Sequence, residues 1–268
     1  MKKYTYSILI AIVIIGFYFV EKKLDQDYYT TFKDETIASS NKGFDYLPTS
    51  TTGAIVTHAY YTLSYAEEHE QAEWVAYKLT KEHTKYNNFK RPYFEIDPLV
   101  KTDAAHWKNY KKSGYDRGHL CPAADRKFDK KAFEETFLTS NISPQKHSFN
   151  AGIWNNLEKQ VRYWVKKEKE LYIVTGPVFK NTNKSIGFEK VTVPSHFYKV
   201  VLKMGKQPQL ISFLLPHKTS SKPITDYIIA TDKLEEMLGI DFFSALPDAL
   251  ENDLEKSTST KKWKFINF

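Results

Sequence analysis

Residues Ser113–Arg126 read SGYDRGHLCPAADR and form the most informative stretch of the chain. Asp116, Arg117 and His119 fall close together there, and Gly118 permits a tight backbone path between them. His119 suits a general base, because an imidazole with a pKa of about 6.5 is mostly neutral at pH 7. The guanidinium of Arg117 is a planar, permanently charged fork that fits a phosphate group.

This Asp-Arg-Gly-His box alone leaves two interpretations open. In one, His119 and Arg117 act on a phosphate, while Asp116 orients a partner side chain or a bound water. In the other, the same residues form an ordinary surface turn closed by an ion pair. Residue types do not separate the two interpretations, so the surrounding sequence has to decide between them.

A second informative stretch, Thr139–Arg162, reads TSNISPQKHSFNAGIWNNLEKQVR. Asn141 and Asn150 carry neutral amide oxygens, which are acceptable ligands for a hard cation. Asn150 is equally well placed to cap the N-terminus of the long helix that the following residues predict. The residue type therefore permits either a metal ligand or a helix cap at this position.

Four residues of this stretch, Asn150, Trp154, Glu158 and Arg162, follow one another at intervals of four. That spacing places them on an oblique ridge along one flank of a helix. At a rise of about 1.5 Å per residue, Asn150 and Glu158 lie about 12 Å apart along the axis, so they cannot easily bind one ion together. Glu158 would instead hold a metal-bound water, or pair with Arg162.

Together, the two stretches resemble the DNA/RNA non-specific endonuclease family, the group of the Serratia nuclease and mitochondrial endonuclease G. The resemblance rests on the D-R-G-H box, the following L-C-P-A-A-D, and the block N-I-x-P-Q … N-x-G-x-W-x-x-L-E. The order and spacing of these motifs agree with the family, whose usual second motif is L-x-P-A-A-D. Similarity extends from about Thr51 to the C-terminus and includes ELYIVTGPVF and LEEMLGIDFF.

Fold class follows from the grouping of the predicted elements. Strands occur in groups with inserted helices rather than in strict alternation, which favours an α+β fold with an antiparallel sheet core flanked by helices. The resemblance adds a ββα-metal motif, also called a His-Me finger. In that motif the D-R-G-H box lies on the hairpin, and the long helix supplies a metal-binding Asn.

The resemblance also implies a role for each residue of the two motifs. His119 resembles the general base that activates the attacking water. Asn150 resembles the direct Mg²⁺ ligand, with Mn²⁺ as a substitute metal, and Glu158 resembles the residue that holds a metal-bound water. The other motif residues resemble supporting groups: Arg117 and Arg162 contact the phosphate or the transition state, Asn141 supports the active site, and Asp116 is structural or orienting.

These roles fit the hydrolysis of a phosphodiester bond. One Mg²⁺ beside the leaving oxygen can neutralise the developing charge and stabilise the leaving group. Because contacts with backbone phosphates read no base sequence, the expected activity is that of a sugar-non-specific endonuclease that cuts DNA and RNA. The resemblance also implies a possible homodimer, since relatives of this kind often form one. Two alternatives stay open: a His-Me phosphodiesterase of narrower substrate range, and a non-catalytic, membrane-anchored nucleic-acid-binding module.

Composition excludes several classes of protein. Hydrophobic residues make up 41% and aromatic residues 15% of the 268 residues, which excludes a disordered chain. The single cysteine, Cys121, excludes an intrachain disulfide framework and a cysteine-based zinc site. The net charge of +7 permits an anionic partner. An electrostatic track for that partner is predicted at the lysines that flank the box: Lys108, Lys111, Lys112, Lys127, Lys130 and Lys131.

The N-terminus predicts a membrane anchor over residues 1–20. Tyr4–Val20 carries no charge, and as a helix it would span about 26 Å, near the lower limit for a bilayer. No small residues follow for a signal peptidase, which favours an anchor, with secretion after cleavage as the alternative. A non-specific nuclease in the cytoplasm would attack the cell's own nucleic acid, so the domain is expected to face the periplasm or the cell exterior.

Patterning divides the remaining chain into a polar linker at residues 21–50 and a nuclease domain at residues 51–268. Runs of β-branched and aromatic residues predict strands at Ala54–Tyr65, Glu170–Thr175, Val191–Val193, Phe197–Met204 and Gln209–Leu215. Periodic apolar residues predict helices at Glu70–Lys81, Lys130–Phe137, Ser148–Lys167 and Thr225–Leu238.

Overall fold

An antiparallel sheet of seven strands forms the centre of the fold in the computed structural model, which describes residues 13–20, 23, 44–205 and 207–266. The chain divides into two units, Met1–Lys42 and Gly43–Phe268, and the second contains the sheet. In chain order the strands are β1 (Ile55–Thr57), β2 (Thr62–Ala66), β3 (Gln71–Thr80), β4 (Asp116–His119), β5 (Ile142–Gln145), β6 (Glu170–Val178), β7 (Ser185–Ile186), β8 (Val191–Thr192), β9 (His196–Lys203), β10 (Gln209–Pro216) and β11 (Ile228–Ile229). The main sheet has the order β1-β2-β3-β6-β9-β10-β11, while β4 pairs with β5 and β7 pairs with β8.

Helices cover both faces of the main sheet. The helices are α1 (Lys130–Glu135), α2 (Asn155–Glu168), α3 (Thr231–Leu238) and α4 (Asp248–Glu255). Because side chains alternate along each strand, one face packs against α2 and the other against α3 and α4. The α2 face includes Tyr77, Ile173, Val201 and Phe213, and the opposite face includes Trp74, Val174, Val200 and Leu210. The predicted α+β class with an antiparallel core agrees with this architecture.

The segment predicted as a helix at Glu70–Lys81 is strand β3, so that prediction is wrong. Its Glu, Gln, Ala, Lys and Leu residues are good helix formers, which explains why the sequence favours a helix. β3 lies between β2 and β6, and Trp74 is buried on one face while Val75 and Tyr77 are buried on the other. Burial on both faces removes the alternation of polar and apolar residues that marks a strand in sequence.

Strand β6 continues past the Gly176-Pro177 pair at which the sequence predicts its end. β6 pairs with β3 only as far as Thr175, and its last three residues pair with β9 alone. Proline has no N–H to donate, so it is tolerated where one side of a strand has no partner. The strand therefore extends to Val178, because the proline lies in the part of β6 that is locally an edge.

Several other predicted elements agree with the structure over only part of their length. The strand predicted at Ala54–Tyr65 is the hairpin of β1 and β2, and the helix predicted at Lys130–Phe137 corresponds to α1. The helix predicted at Thr225–Leu238 divides into a 3₁₀ turn at Ile224–Tyr227, the short strand β11 and helix α3.

The hairpin of β4 and β5 carries the D-R-G-H box, and a long kinked helix follows it. After β5, a helical turn at His147–Phe149 and a π-helical turn at Asn150–Trp154 lead into α2. The kink lies at Gly152, whose φ of −94° and ψ of −116° are not helical. The order of strand, strand and helix agrees with the ββα arrangement that the resemblance implies, and Asn150 lies before the kink.

The predicted transmembrane helix at Tyr4–Val20 is wrong as far as the structure describes this segment. Residues 13–20 are helical, whereas residues 4–12 lie outside the described residues. Among the residues that are described, no helix is long and apolar enough to cross a membrane. Most of the predicted linker, residues 21–22 and 24–43, also lies outside the described residues.

Candidate active site

The strand β4 presents the side chains of the D-R-G-H box on two opposite sides. β4 runs antiparallel to β5, with Asp116 opposite Gln145. Because successive side chains of a strand point in opposite directions, Arg117 and His119 share one side, and Asp116 and Gly118 share the other. The box therefore contributes to two different environments.

Phe94 and Phe137 enclose His119 on the first side. Their ring centroids lie 5.7 Å and 4.9 Å from the centroid of the imidazole. Its Nε2 is buried and has no hydrogen-bond partner among the described residues. Burial, assisted by the charge of Arg91, lowers the pKa of His119 to about 3. At pH 7 the imidazole is therefore neutral, which is the protonation state that a general base needs.

Arg91 lies beside His119, although sequence analysis does not identify it as a site residue. Its guanidinium carbon is 5.6 Å from the ring centroid of Phe94 and 5.4 Å from that of Phe137. These are cation–π distances, and the same two rings enclose His119. The signal in the sequence is a group of cations among aromatic residues in the loop FKRPYF.

Arg117 lies among three aromatic rings. Its guanidinium carbon is 5.2 Å from the ring centroid of Phe94 and 5.8 Å from those of Trp107 and Tyr110. Its Nη2 donates to the carbonyl of Trp107 at 3.1 Å, and its Nε is buried without a partner among the described residues. The side chain is thus held in place while part of its donor set stays available, as a phosphate contact requires.

Asp116 binds Asn150 on the second side of the hairpin. The amide Nδ2 of Asn150 donates to Oδ2 of Asp116 at 2.9 Å, and Nδ1 of the exposed His147 donates to the same oxygen at 2.9 Å. Asn150 itself has helical φ and ψ of −59° and −53°, and its side chain caps no helix, so the cap interpretation is wrong. Because a carboxylate only accepts hydrogen bonds, the amide nitrogen faces Asp116 and leaves Oδ1 for another ligand.

Glu158 and Arg162 lie on α2 and belong to a largely buried cluster of charged side chains. Nη1 of Arg162 lies 2.8 Å from Oδ1 of Asp125 and 4.0 Å from Oε2 of Glu158. The distance between Glu158 and Arg162 is therefore at the outer limit for an ion pair, and Asp125 is the closer partner of Arg162. Burial raises the pKa of Glu158 to about 7, although the charges of Arg162 and Lys199 oppose the rise.

Lys199 on β9 is the second cation of this cluster and was also missed by sequence analysis. Its side chain is fully buried, and its Nζ lies 4.8 Å from the ring centroid of Trp154. That Nζ has no hydrogen-bond partner among the described residues. Burial lowers the pKa of Lys199 to about 8, while the charges of Glu158 and Asp125 oppose the change. The signal in the sequence is a lysine in the interior of a strand whose other interior residues are Phe, Tyr, Val and Leu.

Asn141 is buried, and its amide is bonded entirely to the backbone. Its Oδ1 accepts from the N–H of Cys121 at 2.8 Å, and its Nδ2 donates to the carbonyls of Cys121 and Thr136 at 3.0 Å and 2.9 Å. Asn141 therefore fixes the loop that leaves β4 directly after His119. This position fits a supporting group that acts through the backbone.

Gln145, the last residue of β5, packs directly on the glycine of the box. A Cβ at Gly118 would overlap the side chain of Gln145, so the close approach requires glycine. The Gln145 side chain is fully buried, yet neither of its amide atoms has a partner among the described residues. A buried polar group without a partner costs about 1–3 kcal/mol. Such groups call for an explanation, and a bound ligand or ordered water at the site is one.

His217 anchors the beginning of the helix that carries Asn150. Its Nε2 accepts from the N–H of Lys146 at 2.7 Å, and its Nδ1 donates to the carbonyl of Pro194 at 2.9 Å. Burial lowers the pKa of His217 to about 4, which keeps the ring neutral, with one nitrogen accepting and the other donating. His217 lies 71 residues beyond Lys146, and no local pattern in the sequence connects them.

The structure distributes the predicted site residues over four places. His119 and Arg117 lie on one side of the hairpin, Asp116 and Asn150 are joined on the other side, Glu158 and Arg162 lie together on α2, and Asn141 lies behind the loop that follows β4.

Comparisons with known proteins agree with the motifs. A family model described as DNA/RNA non-specific endonuclease matches residues 40–249. The mitochondrial nuclease EXOG of Danio rerio is 33% identical over 227 residues, which cover 78% of this chain and 66% of that relative. Mitochondrial endonuclease G of Homo sapiens is 30% identical over 198 residues, which cover 68% of this chain and 67% of the relative. The match thus spans just under two thirds of the zebrafish relative's length.

A solved structure gives the same result for the fold. The crystal structure of an EndoG/EndoGI complex matches with a TM-score of 0.67 and 28% sequence identity, covering 80% of this chain and 91% of that chain. That complex concerns the inhibition of EndoG.

The prediction of a membrane anchor at residues 4–20 with an extracytoplasmic domain is wrong. The two relatives above are mitochondrial nucleases by name. In addition, the part of the chain that the structure describes contains no helix able to span a membrane.

Proposed function

The chain belongs to the DNA/RNA non-specific endonuclease family, and on this basis we propose that it hydrolyses phosphodiester bonds of DNA and RNA as a Mg²⁺-dependent endonuclease. The observation that supports the proposal is the neutral imidazole of His119, whose buried Nε2 has no partner among the described residues. The same strand carries Asp116, which orients the amide of Asn150. One hairpin thereby supplies a base and the group that positions a metal ligand.

His119 acts as the general base in this proposal and takes a proton from the attacking water at Nε2. A pKa of about 3 makes the free imidazole a weak base. An anionic phosphate bound beside Arg91 and His119 offsets the charge of Arg91 and raises the pKa of His119 towards neutrality. The base therefore becomes stronger when substrate binds, and the imidazolium returns its proton to solvent after cleavage.

The residues on the second side of the hairpin fit a hard divalent cation. Asn150 offers a neutral oxygen ligand that Asp116 fixes in orientation, and Glu158 would hold the ion through water. The buried, unpartnered amide of Gln145 adds a polar group beneath the box. Mg²⁺, with Mn²⁺ as a substitute, would supply neutralisation of the charge that develops on the phosphate and the leaving oxygen. A single direct protein ligand suits Mg²⁺, because this ion usually keeps several waters.

Arg117 and Arg162 contact the substrate phosphates in this proposal. Arg117 is held by the carbonyl of Trp107 and keeps its Nε unpartnered. Arg162 is paired with Asp125, so it reaches a phosphate only by sharing or exchanging that partner. Because phosphate oxygens carry no sequence information and occur in both polymers, these contacts select neither a base sequence nor a sugar.

Digestion of supercoiled plasmid and of a defined RNA by the full chain tests the proposal. We expect cleavage of both polymers with Mg²⁺, none with EDTA, and a loss of about 10²–10⁴ in rate for His119→Ala. His196→Ala removes a half-buried imidazole outside the site and should retain the wild-type rate. Undiminished cleavage by His119→Ala, or in EDTA, would contradict the proposal.

The alternatives give different results in the same assay. A phosphodiesterase of narrower range cleaves a small activated diester, such as bis(p-nitrophenyl) phosphate, but neither polymer. A non-catalytic binding module binds nucleic acid equally well with His119→Ala and cleaves nothing. The homodimer that the resemblance implies remains a prediction, and light scattering tests it by comparing the mass in solution with the 31.3 kDa of one chain.

A further inference from the structure

The loop before the D-R-G-H box carries the most exposed large apolar side chain of the described residues. That side chain is Tyr93, which is 91% exposed. The next residue is Phe94, whose ring centroid lies 5.7 Å from that of His119. Tyr93 therefore presents its ring to solvent at the rim of the candidate active site.

Two sets of backbone contacts fix the loop that carries Tyr93. At its beginning, the backbone N–H and the Nδ2 of Asn87 both donate to the carbonyl of Lys127 at 3.0 Å. At its end, the N–H of Glu95 donates to the carbonyl of Phe137 at 3.3 Å. Both ends are thus tied to the segment that follows the box, so the backbone of this loop is held beside the site.

Cations accompany this ring. Lys90 and Arg91 are exposed on the same loop. Near the beginning of the loop, Nζ of Lys127 lies 4.2 Å from the ring centroid of Tyr86, which is also exposed. A surface that combines cations with exposed aromatic rings is complementary to a single strand of nucleic acid, which offers phosphates to the cations and base faces to the rings.

Packing does not account for Tyr93. Only a small part of its surface is buried, so its ring contributes little to the hydrophobic stabilisation of the fold. Arg91 differs, because its guanidinium lies on the rings of Phe94 and Phe137. A change at Tyr93 therefore reports on a ligand rather than on the core.

We propose that Tyr93 stacks on an unpaired base of the strand being cut, so that the protein binds single-stranded DNA and RNA more tightly than duplex. The inference rests on the proposed function, because it places this base next to a phosphate at His119. A base inside a duplex is covered on both faces by its neighbours, so a side-chain ring reaches a base only where the strand is unpaired. Stacking tolerates every base, which is consistent with cleavage without sequence preference.

Binding by the full chain tests the inference, with His119→Ala as the parent so that the ligands are not cut. Fluorescence anisotropy follows the titration of a labelled single strand and of a hairpin duplex with the same number of nucleotides. Adding Tyr93→Ala should weaken single-strand binding by about fivefold to 100-fold, which is the loss of one base–aromatic stack, and should change duplex binding by less than about twofold.

Two further variants control for the chemistry of the ring. Tyr93→Phe keeps the aromatic face and should retain the single-strand affinity of the parent within about twofold, because stacking does not need the hydroxyl. Phe188→Ala removes another exposed ring, which is 67% exposed, and should leave both affinities unchanged. Thermal unfolding of all variants should coincide with that of the parent, since both rings are largely exposed.

Three outcomes overturn the inference. One is a single-strand affinity that does not change with Tyr93→Ala, and another is an equal loss for single strand and duplex. The third is a parent that binds the single strand no more tightly than the duplex. Cleavage by the wild-type chain separates these cases, because it tests the proposed function without any variant of Tyr93.

Discussion

Two buried glutamines, Gln71 and Gln145, differ in how their amides are used. Both residues are 0% exposed. The Nε2 of Gln71 donates to the carbonyls of Thr192 and His69 at 2.6 Å and 3.1 Å, and its Oε1 accepts from the hydroxyl of Ser143 at 2.6 Å. Gln145 lies on the same strand as Ser143, yet neither of its amide atoms has a partner among the described residues.

This difference distinguishes polar residues that stabilise the fold from polar residues that are available to a ligand at the site. Buried polar groups that stabilise a fold have partners, whereas a site keeps polar groups available for its ligand. The same distinction applies to two histidines, the buried His217 and the half-buried His119. His217 uses both ring nitrogens on the backbone, while the Nε2 of His119 has no partner among the described residues. Burial lowers the pKa of both, so the pKa alone does not separate the two roles.

The largest effect is expected for Gln71→Met, which removes the partnered amide. The substitution keeps the volume of the side chain but leaves the Ser143 hydroxyl and the carbonyls of His69 and Thr192 without this partner. We expect a loss of about 3–5 kcal/mol in the free energy of unfolding, from three lost hydrogen bonds in a buried place. Urea denaturation measures this loss. A change below about 1 kcal/mol would mean that the partnered amide of Gln71 does not stabilise the fold more than the unpartnered amide of Gln145.

The long helix of the site could be predicted from a local pattern, because the apolar stripe of α2 repeats with helical period. The hairpin of β4 and β5 was expected only from the family resemblance that the contiguous motifs carry. Strand β3 was missed because its identity depends on neighbours that bury both of its faces. Its residues favour a helix when they are considered alone, and tertiary packing overrides that preference.

The residues of the candidate site likewise divide into those that the sequence identifies and those that it does not. Motif residues such as His119 and Asn150 could be identified from the sequence, because they lie in two short stretches. Arg91, Lys199 and His217 could not, because each comes from a separate segment that only the fold brings to the site. A single sequence carries no direct record of which distant segments meet, so the partners of each polar group were beyond prediction.

A second prediction concerns His217 and the pH dependence of stability. Burial lowers its pKa from 6.5 to about 4 in the folded chain. Between about pH 6.5 and pH 4, the unfolded chain binds a proton that the folded chain excludes, so this residue costs up to about 3 kcal/mol of stability as the pH falls through that window. His217→Gln keeps a donor and an acceptor but cannot take up the proton.

The free energy of unfolding of His217→Gln should therefore fall less steeply than that of the wild type below about pH 6.5. Urea denaturation at several pH values measures both curves. Parallel curves would mean that burial does not hold the ring of His217 neutral in the folded chain, which would contradict the prediction.

The smallest effect on stability is expected for Gln145→Met. This variant also gives the most direct test of the difference between the two glutamines. The amide forms no hydrogen bond that the substitution could break among the described residues, and burying it unpaired has a cost. The free energy of unfolding should stay the same or rise by about 1 kcal/mol. Cleavage of plasmid should nevertheless fall about tenfold or more, as expected when a polar group that supports a metal or substrate is lost.

Gln71→Met is the matched control, because it replaces the same residue type with the same side chain at an equally buried position. If partners distinguish structural amides from functional ones, Gln71→Met loses stability, and Gln145→Met loses activity while it keeps or gains stability. Loss of stability in both variants would mean that the Gln145 amide supports the fold despite its lack of partners. Full activity in Gln145→Met would instead make it a tolerated packing residue, and Gly118 would then be needed only to accommodate its bulk.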